Sequence, residues 1–284
     1  MSLSESAPPL VVARGLVKRF RLGRGEQLTA LDDVSLEIRR GETFGLVGES
    51  GSGKSTVSRA LLALLPLDGG TVTFDGTDVH ALGRGDLRAL RRRMQMVFQD
   101  PFAALNRRQT VAQIVAAPLE AHGIGDRASR AARVAETLDL VGLGAAYRTR
   151  RPREMSGGQC QRVAIARALA LDPEFVVLDE SVSALDVSIQ AQILNLLNEL
   201  QQRLGLTYLF ISHDLAVVRY MASTVAVMQR GRIVEHGTRE QLFSAAQDDY
   251  TRQLMAAIPA VDPAAERARR REARAAAAAV SSGG

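Results

Sequence analysis

Lysine is nearly missing from this chain of 284 residues: it occurs only as Lys18 and Lys54, so arginine supplies 34 of the 36 basic residues. Cysteine is rarer still. Cys160 stands alone, which excludes an intrachain disulfide and a cysteine-rich metal site. No apolar run reaches the ~18 residues that a transmembrane helix requires. The N-terminus also lacks the basic-then-apolar order of a secretion signal, so a cytosolic protein is expected. Excess charge of one sign is small as well. The formal net charge is +5, and the stretch from Ala264 to Gly284 holds five arginines against Glu266 and Glu272, which leaves the rest nearly neutral. Composition therefore gives no indication of a basic face for nucleic acid. With 46% hydrophobic residues, the chain can bury a core of one large domain with an extension.

A scarce residue marks a site more sharply than a common one. Lys54 falls within Gly48-Glu49-Ser50-Gly51-Ser52-Gly53-Lys54-Ser55-Thr56, which fits the phosphate-loop pattern G-x-x-x-x-G-K-[ST]. Thr43 to Val47 reads as a short buried strand, and Val57 to Leu65 has helical apolar spacing, so the pattern lies between strand and helix as it must. Glycines let successive N–H groups curl toward a phosphate, and the helix N-terminus adds partial positive charge. In such a loop Lys54 reaches the β- and γ-phosphates and the Ser55 hydroxyl binds Mg²⁺. The plain alternative is a Gly/Ser turn capping an ordinary helix, and the placement of so rare a lysine argues against it.

Other stretches gain meaning from this one. Val11 to Phe20 reads as a strand, with Phe20 either a core residue or a ring that stacks on a purine. Leu31 to Ile38 alternates apolar and charged residues as a half-exposed strand does. Thr71 to Phe74 and Met94 to Phe98 read as strands, and Asp86 to Arg93 as a basic helix. Gln99, where strand yields to loop, reads alone as a solvated residue, or as an amide that meets Mg²⁺ and its water. Thr110 to His122 and Asp126 to Leu140 have helical spacing, with Pro118 expected to kink or end the first.

Ser156-Gly157-Gly158-Gln159 precedes a helical pattern, with Ser156 as N-cap. Read alone it is a glycine-relieved helix start; read with the loop upstream it is a second phosphate site. Cys160 lies in the first turn of that helix, where the dipole favours thiolate, so it reads either as a reactive thiol or as a small packed residue. Phe175 to Glu180 is an apolar run ending in two carboxylates, as a central parallel strand delivers acids to one sheet edge. Asp179 is suited to the Mg²⁺ shell, and Glu180 to orienting and deprotonating a water. Thr207 to Ile211 reads as another strand, closed by Ser212-His213-Asp214. There His213 is a donor to a γ-phosphate or, alone, a surface residue. Val225 to Met228 and Arg232 to Glu235 read as a hairpin, and Thr238 to Ser244 and Tyr250 to Ile258 as short helices.

Taken together, residues 10 to 260 resemble the ATP-binding subunit of an ABC transporter. Gly48 to Ser55 matches the Walker A loop, Gln99 the Q-loop, Ser156 to Gln159 the signature, and Phe175 to Glu180 Walker B with its glutamate. Asp186 matches the D-loop, His213 the switch histidine, and Phe20 falls where the family has its adenine-stacking aromatic. Within the family the chain is similar to oligopeptide and dipeptide importer ATPases, and more to the second of their two paired subunits. The carrying residues are Gln99 to Phe102, Leu105-Asn106, Pro118-Leu119, Ser183 to Ser188 and Tyr250 to Pro259. Cys160, Met155, Ser181 and Arg107 depart from that branch without removing a phosphate ligand or the catalytic acid.

The resemblance implies an α/β fold: a P-loop NTPase (RecA-like) core with a mainly parallel sheet, an N-terminal antiparallel β subdomain and an inserted helical subdomain. Residues 8–244 would form the ATPase domain, with the helical part at about 100–158; 245–263 an importer-type extension; and 264–284 a disordered tail. It implies ATP and Mg²⁺ as ligands, with Ser55, Gln99 and Asp179 on the metal, Asp179 through water. Glu180 and His213 would be catalytic, and Phe20, Gly48 to Thr56 and Gln99 would contact ATP. Ser156 to Gln159 would contact the ATP of a partner subunit. The implied partners are a second, different ABC ATPase, two membrane permease subunits and a solute-binding protein, with the chain on the cytoplasmic face of the membrane and no nucleic acid bound. The alternative is an ABC ATPase of nucleic-acid or mechanical type. Such chains insert a long coiled coil or zinc module between loop and signature, and neither sustained heptads nor cysteines occur there.

Overall fold

The computed structural model describes residues 8–22, 26–183 and 185–256. The chain opens with strands β1 (Val11–Arg21) and β2 (Gln27–Ile38), followed by β3 (Thr43–Val47), helix α1 (Lys54–Leu61), β4 (Gly69–Phe74), β5 (Thr77–Asp78), α2 (Arg84–Arg93) and β6 (Met94–Val97). Helices come next: α3 (Pro101–Ala104), α4 (Val111–Ala121), α5 (Arg127–Leu140) and α6 (Gly157–Leu169). The remainder alternates as β7 (Phe175–Asp179), α7 (Val187–Leu204), β8 (Thr207–Ile211), α8 (Leu215–Met221), β9 (Thr224–Gln229), β10 (Arg232–Thr238), α9 (Arg239–Ala245) and α10 (Asp249–Ala256). Among the described residues no helix is long and apolar enough to cross a membrane.

The strands form two sheets. One runs β10-β9-β3-β8-β7-β6, with β9, β3, β8, β7 and β6 mutually parallel and β10 antiparallel at the edge. The other, β2-β1-β4-β5, is antiparallel throughout. Strands β3, β7 and β8 are buried at every residue because both faces of their sheet are covered. Successive side chains alternate between two cores: Phe175, Val177, Leu209 and Ile211 join α1 and the antiparallel sheet. Val176, Leu178, Tyr208 and Phe210 instead join the helices α4 to α8. This two-sided burial is why these strands read as continuous apolar runs rather than alternating ones.

Several boundaries differ from the sequence reading by a few residues, and two of the differences have a clear physical reason. Helix α1 starts at Lys54 rather than at Val57, because its first turn is spent on polar residues facing the loop and so carries no apolar period. Pro118 does not end α4, which continues to Ala121. It sits within four residues of the helix end, so the backbone bond it forfeits is one of few still to be made. The expected disordered tail and the Ile258-Pro259 stretch lie outside the described residues.

The two sheets are also tied by charge. Arg40 and Arg93 each pair with both Asp75 and Glu174, among these Arg93 to Asp75 at 2.6 Å and Arg40 to Glu174 at 2.8 Å. Asp75 follows the antiparallel strand β4 and Glu174 precedes β7, so the ring spans the join. The Arg93 guanidinium also lies 4.9 Å from the Phe74 ring. Bonds from Arg93, then Arg40, hold both carboxyls below the usual carboxylate range. Their folded values lie under their unfolded ones, so the stabilisation is present in full above the ordinary carboxylate pKa. It is lost as pH falls through the lowered folded values. Because the four side chains remain partly solvated, Glu174→Gln should cost about 1 kcal/mol at pH 7. In urea denaturation the gap between wild type and variant should close below about pH 4, and a gap independent of pH would contradict this account.

Candidate active site

The phosphate loop leaves β3 through a position that only glycine tolerates. Gly48 has φ of +149°, and a Cβ there would fall 2.1 Å from the Met228 carbonyl oxygen on β9. The loop is backed by the turn after β9: Gly231 N–H donates to the Ser52 carbonyl at 2.9 Å, and Asp32 N–H donates to the Gly231 carbonyl at 2.9 Å. Lys54 opens α1 and is only 5% exposed, with Nζ donating to the carbonyls of Gly48 at 2.7 Å and Glu49 at 2.8 Å. Burial lowers its pKa, opposed by the negative charges of Glu180, Asp179 and Glu49. The result is an ammonium held under the loop by carbonyls and facing carboxylates.

Parallel pairing brings the acids to it. Asp179, 7% exposed at the C-terminal end of β7, accepts a hydrogen bond from Ser55 Oγ at 3.2 Å. Burial pushes its carboxyl up, and the neighbouring Glu180 adds to this. Glu180 takes a left-handed backbone, φ +47°, which a non-glycine residue adopts only at some cost. That turn redirects its side chain between two neighbours: Gln99 Nε2 donates to Oε2 at 2.8 Å, and His213 Nδ1 lies 3.6 Å from Oε1. Gln99 follows β6 and His213 follows β8, the strands flanking β7. Ser181, next in the chain, is buried with its hydroxyl unpartnered among the described residues.

A cleft of about 580 Å³ crosses this edge. Its polar end is formed by Lys54, Ser55, Gln99 and Glu180, and its apolar end by Phe20 and Leu28, which pair across β1 and β2. Phe20 is 39% exposed, with Lys18 Nζ 5.6 Å from its ring centre, so it serves the cleft and not the core. Such a shape suits a ligand with a flat ring at one end and phosphates at the other. Leu28, Thr29, Ala30, Arg230 and Gly231 also line the cleft and were not singled out by sequence. They belong to a strand and a turn with no distinguishing pattern.

The remaining candidates are elsewhere. Ser156 caps α6, its Oγ accepting from Gln159 N–H at 3.3 Å while Gln159 Oε1 accepts from Ser156 N–H at 3.0 Å. Gln159 Nε2 donates to the Tyr147 hydroxyl at 3.0 Å. A Cβ on Gly158 would fall 2.4 Å from Ile189 Cγ2, so glycine there lets α6 approach α7. Asp186 caps α7 through Ile189 N–H at 3.0 Å. Neither Ser156 to Gln159 nor Asp186 lines the cleft. Tyr250, from α10, does contact the loop: its hydroxyl accepts from Glu49 N–H at 3.1 Å. No local sequence signal announces a partner 201 residues away.

The structure decides between the two readings of Cys160. The residue is fully buried in the helical core, its thiol directed at the Pro152 carbonyl at 3.5 Å, and burial pushes its pKa up to about 11. Desolvation outweighs the helix dipole, so the packed-residue reading holds over the reactive one. Maleimide at neutral pH should label the folded chain slowly, at a rate that Mg-ATP does not change, and label it rapidly in urea. Fast native labelling would contradict the assignment.

Residues 31–183 match the family model described as ABC transporter. The chain is 52% identical over 255 residues to a putative peptide import ATP-binding protein of Brucella ovis, covering 90% of this chain and 80% of that one. It is 51% identical over 265 residues to the oligopeptide transport ATP-binding protein OppD of Mycobacterium tuberculosis, covering 91% of this chain and 43% of that one. Among solved structures, a dimeric ATP-binding cassette in a post-hydrolysis state with ADP and Pi matches with a TM-score of 0.73 at 31% identity. That match covers 81% of this chain and 98% of the other.

Proposed function

Because the chain belongs to the ABC transporter family of ATP-binding domains, we propose that it is the ATP-hydrolysing subunit of an importer for peptides or a related small solute. The observation that carries the catalytic part is Glu180, held between Gln99 and His213 at the mouth of the phosphate loop. A carboxylate so placed can orient a water and take its proton as a phosphoryl group departs. Lys54 neutralises the β- and γ-phosphates, the N–H groups between Gly48 and Thr56 that no protein acceptor holds cradle them, and Phe20 stacks on the base. His213 donates to the γ-phosphate. Asp186 orders the turn that carries the start of α7.

The oxygens of Ser55 and Asp179, 3.2 Å apart, form a hard donor set that fits Mg²⁺ with phosphates and water completing its shell, and Gln99 stands beside them. Bound there, the ion would offset charge on the transferred phosphoryl group. Among the described residues no cluster of three or more His, Cys, Asp or Glu side chains competes with that arrangement.

Residues 8–244 act as the ATPase domain, 100–158 as its helical arm, and 245–263 as the importer-type extension. Ser156 to Gln159 lie away from this chain's own cleft, which supports their use on ATP held by a second subunit. A groove lined by Leu64, Met96, Phe98, Pro118, His122 and Arg167, beside Gln99, offers an apolar floor to one of two permease subunits. ATP-driven closure would thus reach the membrane, with the chain on its cytoplasmic face and a solute-binding protein delivering cargo.

Glu180→Gln should retain ATP affinity and lose turnover by about 100-fold or more, whereas Lys54→Ala should weaken ATP binding by roughly 10- to 100-fold. Steady ATPase activity of Glu180→Gln in its assembled transporter would falsify the assigned base. The working unit is a heterodimer with a different ABC subunit, on the resemblance to one member of a pair. Each ATP site needs one loop and one opposing signature, so self-pairing is physically open. Solution mass of the Glu180→Gln chain with ATP, alone and with its sister subunit, decides the matter. A tight self-dimer, together with a transporter from cells holding two copies of this chain and no other ABC subunit, rejects the heterodimer.

A further inference from the structure

One peptide unit of the phosphate loop is gripped from both edges. The Gly48 carbonyl accepts from Lys54 Nζ at 2.7 Å, and the N–H of the same unit, on Glu49, donates to the Tyr250 hydroxyl at 3.1 Å. In a trans peptide the C=O and N–H leave opposite edges of one plane, so ammonium and phenol stand on either side of it. Gly48, at φ +149°, imposes little preference of its own on that plane. Its tilt must be set by what it bonds to.

Tyr250 is itself well anchored. Asp248 Oδ1 accepts from the N–H groups of Tyr250 at 2.9 Å and Thr251 at 3.1 Å. The Glu235 carboxylate on β10 accepts from Gln247 N–H at 2.8 Å and Asp248 N–H at 3.1 Å. The ring packs on the helical core beside Leu254 and Met255. Burial also raises the phenol pKa, so the hydroxyl stays neutral.

We propose that Tyr250 is a positioning residue of the ATP site: by holding the Glu49 N–H it fixes the tilt of the Gly48 carbonyl and, through that carbonyl, the place of the Lys54 ammonium. This rests on the reading of Gly48 to Thr56 as an ATP loop. It makes the segment after the ATPase domain a part of the nucleotide site, so that a shift of α10 loosens the lysine. Loss of the hydroxyl frees the peptide to rotate, and part of the binding energy then goes to re-ordering it.

Tyr250→Phe keeps the ring and removes only the hydroxyl. On the full chain, calorimetry with Mg²⁺ and a non-hydrolysable ATP analogue should show binding weakened about 3- to 10-fold, at a Tm unchanged from wild type. Hydrogen exchange at the Glu49 amide should accelerate about tenfold, which a purely packing role would not cause. In the Lys54→Ala background the same substitution should weaken binding no further, because the lysine it acts through is gone. Wild-type affinity with unchanged Glu49 exchange, or an equal loss in the Lys54→Ala background, overturns the proposal. If the wild-type chain binds no Mg-nucleotide, the ATP-loop reading itself falls and takes this one with it. If wild type binds and Tyr250→Phe binds equally, only the role of Tyr250 falls.

Discussion

Parallel pairing of β3 with β8, β8 with β7 and β7 with β6 places four strand ends, and the residues that follow them, along one edge of the sheet. The phosphate loop, His213, Asp179 with Glu180, and Gln99 leave those ends in that spatial order. An antiparallel neighbour would send its carboxylates to the opposite edge, beyond reach of Lys54. Strand direction is therefore the constraint on which the chemistry depends, and it requires helical crossovers that cover both faces of the sheet.

Those coverings give the two sides of the sheet different work. On one side α1 is sealed between the parallel and antiparallel sheets by Val57, Ala60 and Leu61 among Leu31, Phe74 and Phe175. This fixes the lysine at the head of α1 against a rigid floor, reinforced by the ring of Arg40, Arg93, Asp75 and Glu174. On the other side, α4 and α5 pack on α6, and α6 packs on α7, with Gly158 allowing Ile189 close approach. Helix α7 begins at Val187, so this packing reaches the segment that follows Glu180.

Within the site, stability is spent where function needs it. Glu180 holds a left-handed backbone, Asp179 is buried with its pKa raised, and Lys54 is buried with its pKa lowered. Each is unfavourable alone. Together they place opposite charges in a desolvated pocket whose groups, on the proposed function, complement phosphate oxygens and a hard cation, and a low local dielectric would strengthen every such contact.

The sequence by itself determined the local elements and the identity of the chemistry. Four-residue apolar runs that lead into Asp179-Glu180 or Ser212-His213, and a rare lysine after glycines, carry their meaning within a few residues because backbone geometry and loop chemistry are local. Tertiary structure decided what depends on distant neighbours. Cys160 sits where a dipole favours thiolate, yet the helices packed around it exclude water and reverse the sign of its pKa shift. Pro118 could end a helix by local rule, but α4 continues past it, held by Leu119 in the core. Tyr250 meets Glu49, and Arg230 with Gly231 closes the cleft, only because β9 lies beside β3 and the chain returns across it. Such contacts leave no periodicity in the sequence, since neither partner's neighbourhood encodes the other; they exist only once the sheet has fixed the strand order.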